Sequence, residues 1–252
     1  MITDAQIAPA EEAPKRERPR DEPRTGGALR FLRDILVIFL VAVLVSFLIK
    51  TFVIRSFYIP SGSMSHTLEV DDRIIVNQLK PEVSPIERGD VVVFKDPGEW
   101  LPYRGEAPVQ PPMAAAFDWL TAAVGVSAPD SDEHLVKRVI GLPGDRVVCC
   151  NGLGQMSVNG VPLREPYAIH SPDVTEASSV DFDVVVPEDS LWVMGDNRED
   201  SQDSRFHADT PTHGFVPIDD VVGAAFLVSW PLDRWAWLGN YPDVFDGVDP
   251  TR

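Results

Sequence analysis

Between Ile35 and Ile49 the chain reads ILVIFLVAVLVSFLI, with no charge and a single hydroxyl, and after Lys50 the apolar character resumes at Phe52, Val53 and Ile54. Ile35 to Ile54 is 20 residues, enough helix to cross a hydrocarbon layer roughly 30 Å thick. Lys50 lies near one end, where its long stem can carry the ammonium to the headgroups. A buried core helix normally alternates with a polar face, and this run has none. A cleavable signal peptide competes, because the small residues Ser61, Gly62 and Ser63 follow the run. The region before the run is long, however, and the run exceeds a normal signal core, so an uncleaved anchor is expected.

Beyond the anchor the pattern shortens to β-type runs between turn residues: Arg73 to Val76, Val91 to Lys95, Leu135 to Ile140, Arg146 to Cys149, Val184 to Val186, Leu191 to Met194 and Ala224 to Ser229. Short strands punctuated by Pro and Gly predict a mainly β fold. Residues 1–33 read as a disordered tail, charged and Pro-containing from Glu11 to Arg24. Residues 34–55 read as the anchor and 56–252 as one domain. Within that domain an excursion of about 96–133 contains a Pro- and Gly-rich loop and an apolar helix candidate, Met113 to Val126, too short to span a bilayer. Residues of about 149–189 read as a small inserted subdomain.

Charge adds a direction and an exclusion. The formal net charge is −17, whereas binding a phosphate backbone calls for clustered Lys and Arg, so nucleic acid is not an expected partner. Residues 56 to 252 hold 13 Lys+Arg against 32 Asp+Glu, which makes the domain the acidic part. Arg24, Arg30 and Arg33 precede the apolar run, and the positive-inside rule then puts the N-terminus in the cytoplasm and the domain outside. The two cysteines, Cys149 and Cys150, are adjacent, which excludes a disulfide framework. Two unpaired thiols are expected, with a vicinal ring as the alternative. Three Trp between Trp230 and Trp237 fit either contact with a membrane interface or packing under the domain.

Three segments carry candidate chemistry. FYIPSGSMSHTL, Phe57 to Leu68, could hold Ser63 exposed in a constrained turn, or could be a Ser-rich loop leaving the membrane. In HLVKRVIGLPGD, His134 to Asp145, strand alternation sends Lys137 to the same face as Val139. Such a lysine is commonly an edge-strand charge, but burial would lower its pKa and yield a neutral amine able to take a proton from a serine. GDNREDSQDSR, Gly195 to Arg205, follows a strand and could be a solvated turn. It lacks the spacing of an EF-hand loop, and the scattered His134, His170, His207 and His213 read as surface residues, so no metal or cofactor is expected.

Together these segments resemble the type I signal peptidases of bacteria, membrane serine proteases that cleave signal peptides from exported preproteins. The resemblance rests on several motifs in a fixed order: the anchor followed by SGSM, DRIIV at Asp72 to Val76, KRVIGLPGD, GDNRxxSxDSR, and FVP at Phe215 to Pro217 with Gly223 after it. It implies Ser63 as nucleophile, Lys137 as general base, and Ser61 with the Ser63 N–H as the oxyanion hole. It further implies that Ser201 orients Lys137, that Asp203 pairs with Arg138 and Arg205, and that Phe57, Ile59, Met64, Leu68, Ile74 and Val136 line pockets for small substrate side chains at −1 and −3. The implied partners are signal peptides, the lipid bilayer and the export machinery. Two departures stand out: His66 where the family usually has Pro, and Asp71 where it usually has Gly. His66 revives a Ser/His arrangement, although nothing around it resembles a nucleophile elbow.

The resemblance therefore predicts an acyl-enzyme mechanism with Lys137 neutral near pH 7 to 8, its pKa depressed by desolvation and by the neighbouring Arg138 charge. The alternative from another class is a membrane-anchored β-domain that binds extracytoplasmic partners without catalysis.

Overall fold

The computed structural model describes residues 25–101, 134–169, 174 and 176–248. Glu11 to Arg24, the helix candidate Met113 to Val126 and His170 lie outside the described residues.

Helix α1, Thr25–Phe52, is 28 residues long. It starts inside the stretch expected as tail, because the polar residues Arg30, Arg33 and Asp34 continue the helical path instead of breaking it. Its stretch Arg30–Ile49 has a mean hydropathy of 2.7 and no buried share. By length and composition this stretch is sufficient to cross a membrane.

The rest of the described chain is mainly β. One antiparallel sheet has the order β1-β2-β11-β3-β4-β9-β10, with β12 paired to β11. Its strands are β1 (Ile54–Tyr58), β2 (Arg73–Asn77), β3 (Val91–Lys95), β4 (His134–Gly141), β9 (Ser190–Met194), β10 (Val216–Pro217), β11 (Val221–Trp230) and β12 (Ala236–Trp237). A second sheet runs β7-β6-β5-β8, from β5 (Arg146–Cys149), β6 (Ser157–Val158), β7 (Val161–Pro162) and β8 (Phe182–Val185).

β3 shows why the large sheet forms. Its run VVVF is buried at every position, and alternation divides it between two cores. Val91 and Val93 pack with Ile74, Val76, Ala225 and Val228. Val92 and Phe94 pack with Leu135, Val139, Leu191 and Val193. Each such side chain stabilises the fold by about 1.5–3 kcal/mol relative to exposure. In register, Val92 faces Lys137 and Val91 faces Arg138 across the β3–β4 ladder, so the continuity of β3 fixes where the lysine lies.

The small sheet shares a hydrophobic core with the large one. Val147, Met156, Val158 and Tyr167 share one core with Ile140, Trp192 and Met194 of the large sheet. Cys149 and Cys150 at the end of β5 form a disulfide rather than the two free thiols expected. This is the sole pairing open to adjacent thiols in a chain with no third cysteine.

Candidate active site

The strand β1 delivers the chain through Pro60 into a single 3₁₀ turn, Gly62–Met64, whose N-cap Ser61 is extended at φ −132° and ψ 157°. The turn is pinned at its far side, where Thr67 and Leu68 N–H groups both donate to Met64 O. Ser63 projects from it with 8% exposure, and Lys137 from the middle of β4 with 4%. Lys137 Nζ lies 2.8 Å from Ser63 Oγ and 3.1 Å from Val136 O. Ser61 Oγ is 3.4 Å from Ser63 Oγ.

Burial is the main cause that lowers the Lys137 pKa, from 10.5 to about 8. Asp203 pulls it back up, Arg205 pushes it down, and Asp196 pulls up again. The cation that assists is thus Arg205 and not Arg138, whose charge is matched by Asp196. Arg138 Nε and Nη2 donate to the two Asp196 oxygens at 2.8 and 2.6 Å, and Nη1 donates to Gly89 O at 2.6 Å.

The loop after β9 wraps the nucleophile turn. Asn197 N–H donates to Ser63 O at 3.1 Å and its Nδ2 to Gly62 O at 3.1 Å. Gly195 has to be glycine, since a Cβ there would lie 2.4 Å from Ser63 O and 2.2 Å from Ser201 Oγ. Asp196 also accepts from Thr67 Oγ1, which ties the lysine strand, this loop and the serine turn into one hydrogen-bonded unit. Arg198 pairs with Glu165 at 2.6 Å, joining the loop to the segment after β7.

Asp203 accepts from Gly195 N–H at 2.9 Å and from both Arg205 Nε and Nη2 at 2.8 Å. Burial alone would raise its carboxyl, but the Arg205 bonds and charge and the Gly195 amide hold it below the ordinary carboxylate range. The expected pairing of Asp203 with Arg205 is therefore present and that with Arg138 is not, because Asp196 lies nearer and takes both arms of the Arg138 fork. Ser201 is buried at 2% exposure, yet among the described residues its Oγ meets no partner in hydrogen-bond geometry and makes no bond to Lys137, whose Nζ is directed to Ser63 Oγ and Val136 O.

Over most of its length the chain is similar to known proteins. The profile of the family described as "Signal peptidase, peptidase S26" matches residues 32–230. The chain belongs to this family. Its activity is that of a signal peptidase I. Relatives named signal peptidase I include one from Mycobacterium tuberculosis (strain ATCC 25618 / H37Rv), 37% identical over 235 residues that cover 85% of this chain and 78% of that protein. Another, from Leptolyngbya laminosa, is 36% identical over 194 residues, covering 77% of each. A probable signal peptidase I from Mycobacterium leprae (strain TN) is 34% identical over 245 residues, covering 87% of this chain and 82% of that one.

The two departures from the signal peptidase pattern take left-handed backbone, His66 at φ 82° and Asp71 at φ 75°. Asp tolerates that region better than most residues and Gly adopts it freely, so Asp71 keeps the path a glycine would take, with Tyr58 OH donating to its carboxylate. Proline cannot adopt φ 82°, so the backbone at His66 requires a residue other than proline. His66 is exposed, and its backbone N–H donates to Glu69 Oε1 at 3.0 Å.

The six apolar residues singled out in the sequence meet in one cluster. Phe57, Ile59, Met64, Leu68 and Ile74 are buried together, with Val136 packed against them. Thr67, Asp196, Asn197 and Glu165 had no role assigned from sequence. Asp196 and Asn197 were visible only as members of the GDNR motif, while Thr67 and Glu165 carry no local signal. His207 is not a surface residue: its ring stacks on Trp100 at 4.3 Å and its Nδ1 lies 2.8 Å from Asp203 O. Trp230, Trp235 and Trp237 are each about half exposed or more, and Trp237 stacks on Phe226 at 5.9 Å.

Proposed function

We propose that the chain removes N-terminal signal peptides from exported preproteins as a membrane-anchored endopeptidase, with Ser63 as nucleophile and Lys137 as general base. The observation that carries this reading is the 2.8 Å contact between Lys137 Nζ and Ser63 Oγ. With its pKa near 8, the amine is neutral in a useful fraction at physiological pH. The lone pair takes the Ser63 proton as Oγ attacks the scissile carbonyl. Ser61 Oγ–H and the Ser63 N–H are the donors for the developing oxyanion, and removing one such donor typically costs about 2.7–4 kcal/mol of barrier. The ammonium then returns its proton to the leaving amine, and a water repeats the cycle on the acyl-enzyme. Phe57, Ile59, Met64, Leu68, Ile74 and Val136 form the apolar wall against which small side chains at −1 and −3 fit and larger ones overlap.

The anchor is α1, with the N-terminus cytoplasmic and the domain outside, close to the export machinery. The exposed Trp230, Trp235 and Trp237 suit the membrane interface, where indoles are favoured. A purely binding domain would have no use for a desolvated amine held against a hydroxyl, which disfavours the non-catalytic alternative. Cleavage of a preprotein by the purified full chain tests the proposal. Ser63→Ala should lower kcat by about 10⁴-fold or more, and Lys137→Arg should fold but not turn over, because guanidinium does not lose its proton in this range. Turnover retained by Ser63→Ala would overturn the assignment.

A further inference from the structure

The positive charge next to Lys137 sits in an aromatic setting that the proposed chemistry does not call for. Arg138 is fully buried, and its guanidinium carbon lies 4.1 Å from the Tyr167 ring centroid and 5.2 Å from that of Tyr241. The two rings are 5.2 Å apart and tilted by 54°. The polar edge of the same guanidinium is bonded to Asp196 and Gly89 O, and Nη1 reaches Gly239 O at 3.3 Å. Tyr167 comes from the segment after β7, where its hydroxyl donates to Glu165 Oε1. Tyr241 comes from the C-terminal segment.

That C-terminal segment is held with some care. Asn240 O lies so near Gly89 that a Cβ at residue 89, itself at φ 86°, would be 1.8 Å from it. Asn240 Nδ2 donates to Glu87 Oε2. Val244, Phe245 and Val248 are buried in the core shared by the two sheets. Between these anchors Tyr241 occupies left-handed backbone at φ 51°, a conformation unfavourable for a bulky L-residue. The residue remains 40% exposed, so hydrophobic burial alone is a partial offset to the strain.

We propose that Tyr241 is a positioning residue for the reaction, its ring seating Arg138 so that Asp196 and Thr67 hold the Ser63 turn against Lys137. This inference rests on the Ser63/Lys137 reading. The ring face attracts the guanidinium, and Arg138 is joined to Lys137 through the backbone of β4 and to the Ser63 turn through Asp196 and Thr67. Loss of the ring lets Arg138 drift from Asp196. Of the charged groups that act on Lys137, namely Asp203, Arg205 and Asp196, only Asp196 then becomes less neutralised, and its attraction raises the proton affinity of the amine.

Four variants of the full chain test this with a preprotein substrate. Tyr241→Leu should lower kcat by about tenfold with KM unchanged, because misplacement of reacting groups acts on the chemical step, and should move the ascending limb of the pH profile upward. Tyr241→Phe keeps the ring face and should recover kcat to within about twofold of wild type. Val244→Ala loosens the same segment without touching Arg138, and should lower Tm while leaving kcat and the pH limb in place. The Arg138 Nε–H resonance, shifted by ring currents, reports the seating without reference to activity and should move in Tyr241→Leu alone. Unchanged kcat and pH limb in Tyr241→Leu would overturn the inference, as would behaviour matching Val244→Ala or a Tyr241→Phe as slow as Tyr241→Leu. Lys137→Arg retaining turnover would instead sink the underlying Ser/Lys reading, whatever the resonance shows.

Discussion

Keeping an amine out of water at Lys137 costs the folded state stability, and the sign of that cost is testable. The folded pKa is near 8 and the ordinary one 10.5, so between these values the unfolded chain binds the proton that the folded chain has lost. Stability attributable to this group therefore falls as pH drops from about 10.5 to about 8, by on the order of 3 kcal/mol at 1.36 kcal/mol per unit. Lys137→Met, apolar and unbranched, should abolish turnover yet raise Tm at pH 7, with calorimetry as the check; a lower Tm would mean that the ammonium is stabilised where it lies. Asp203 likewise loses stability as pH falls, but its contribution favours the folded state instead of opposing it. Its depressed carboxyl contributes stability above the usual carboxylate range, lost as acid protonates it, and Asp203→Ala leaves Arg205 buried without its partner, an expected loss of about 3–5 kcal/mol in chemical denaturation. A denaturation midpoint equal to wild type would contradict the pairing.

At the scale of elements, the site is an intersection of one turn, one strand and one loop, and their legibility in the sequence differed for physical reasons. β3 and β5 were readable to the residue, since VVVFK and RVVC are apolar runs between turn residues. β1, Ile54–Tyr58, was partly absorbed into the membrane run because Ile54 continues its apolar character. The two-residue strands β6, β7, β10 and β12 carry too few side chains to make a pattern. Ser63 and Lys137 came from motif resemblance supported by the strand face, but the partners of Arg138 did not, because pairing between buried charges depends on which carboxylate the fold brings nearest. The same network makes Asp196 a sharper test than any single hydrogen bond. Asp196→Asn removes the charge but keeps the size, and should lower kcat by about 10²-fold, in the range seen when reacting groups are displaced by an ångström or so. Wild-type kcat in this variant would show that Arg138 and Thr67 hold their places without it.

For the whole molecule, the proposed topology has the acidic β-domain outside the membrane and the segment before α1 in the cytoplasm. Protease added to intact spheroplasts should degrade the domain and spare the tail before α1, and protection of the domain would reverse the orientation. The central claim, that a desolvated lysine and not the nearby histidine activates Ser63, is tested most directly by the pH dependence of kcat/KM for preprotein cleavage. A lysine base near pKa 8 predicts a rate that climbs about tenfold per pH unit below that value and levels above it, unaffected by His66→Ala. An ascending limb centred near about pH 6.5, the ordinary range of histidine, and abolished by His66→Ala would contradict it.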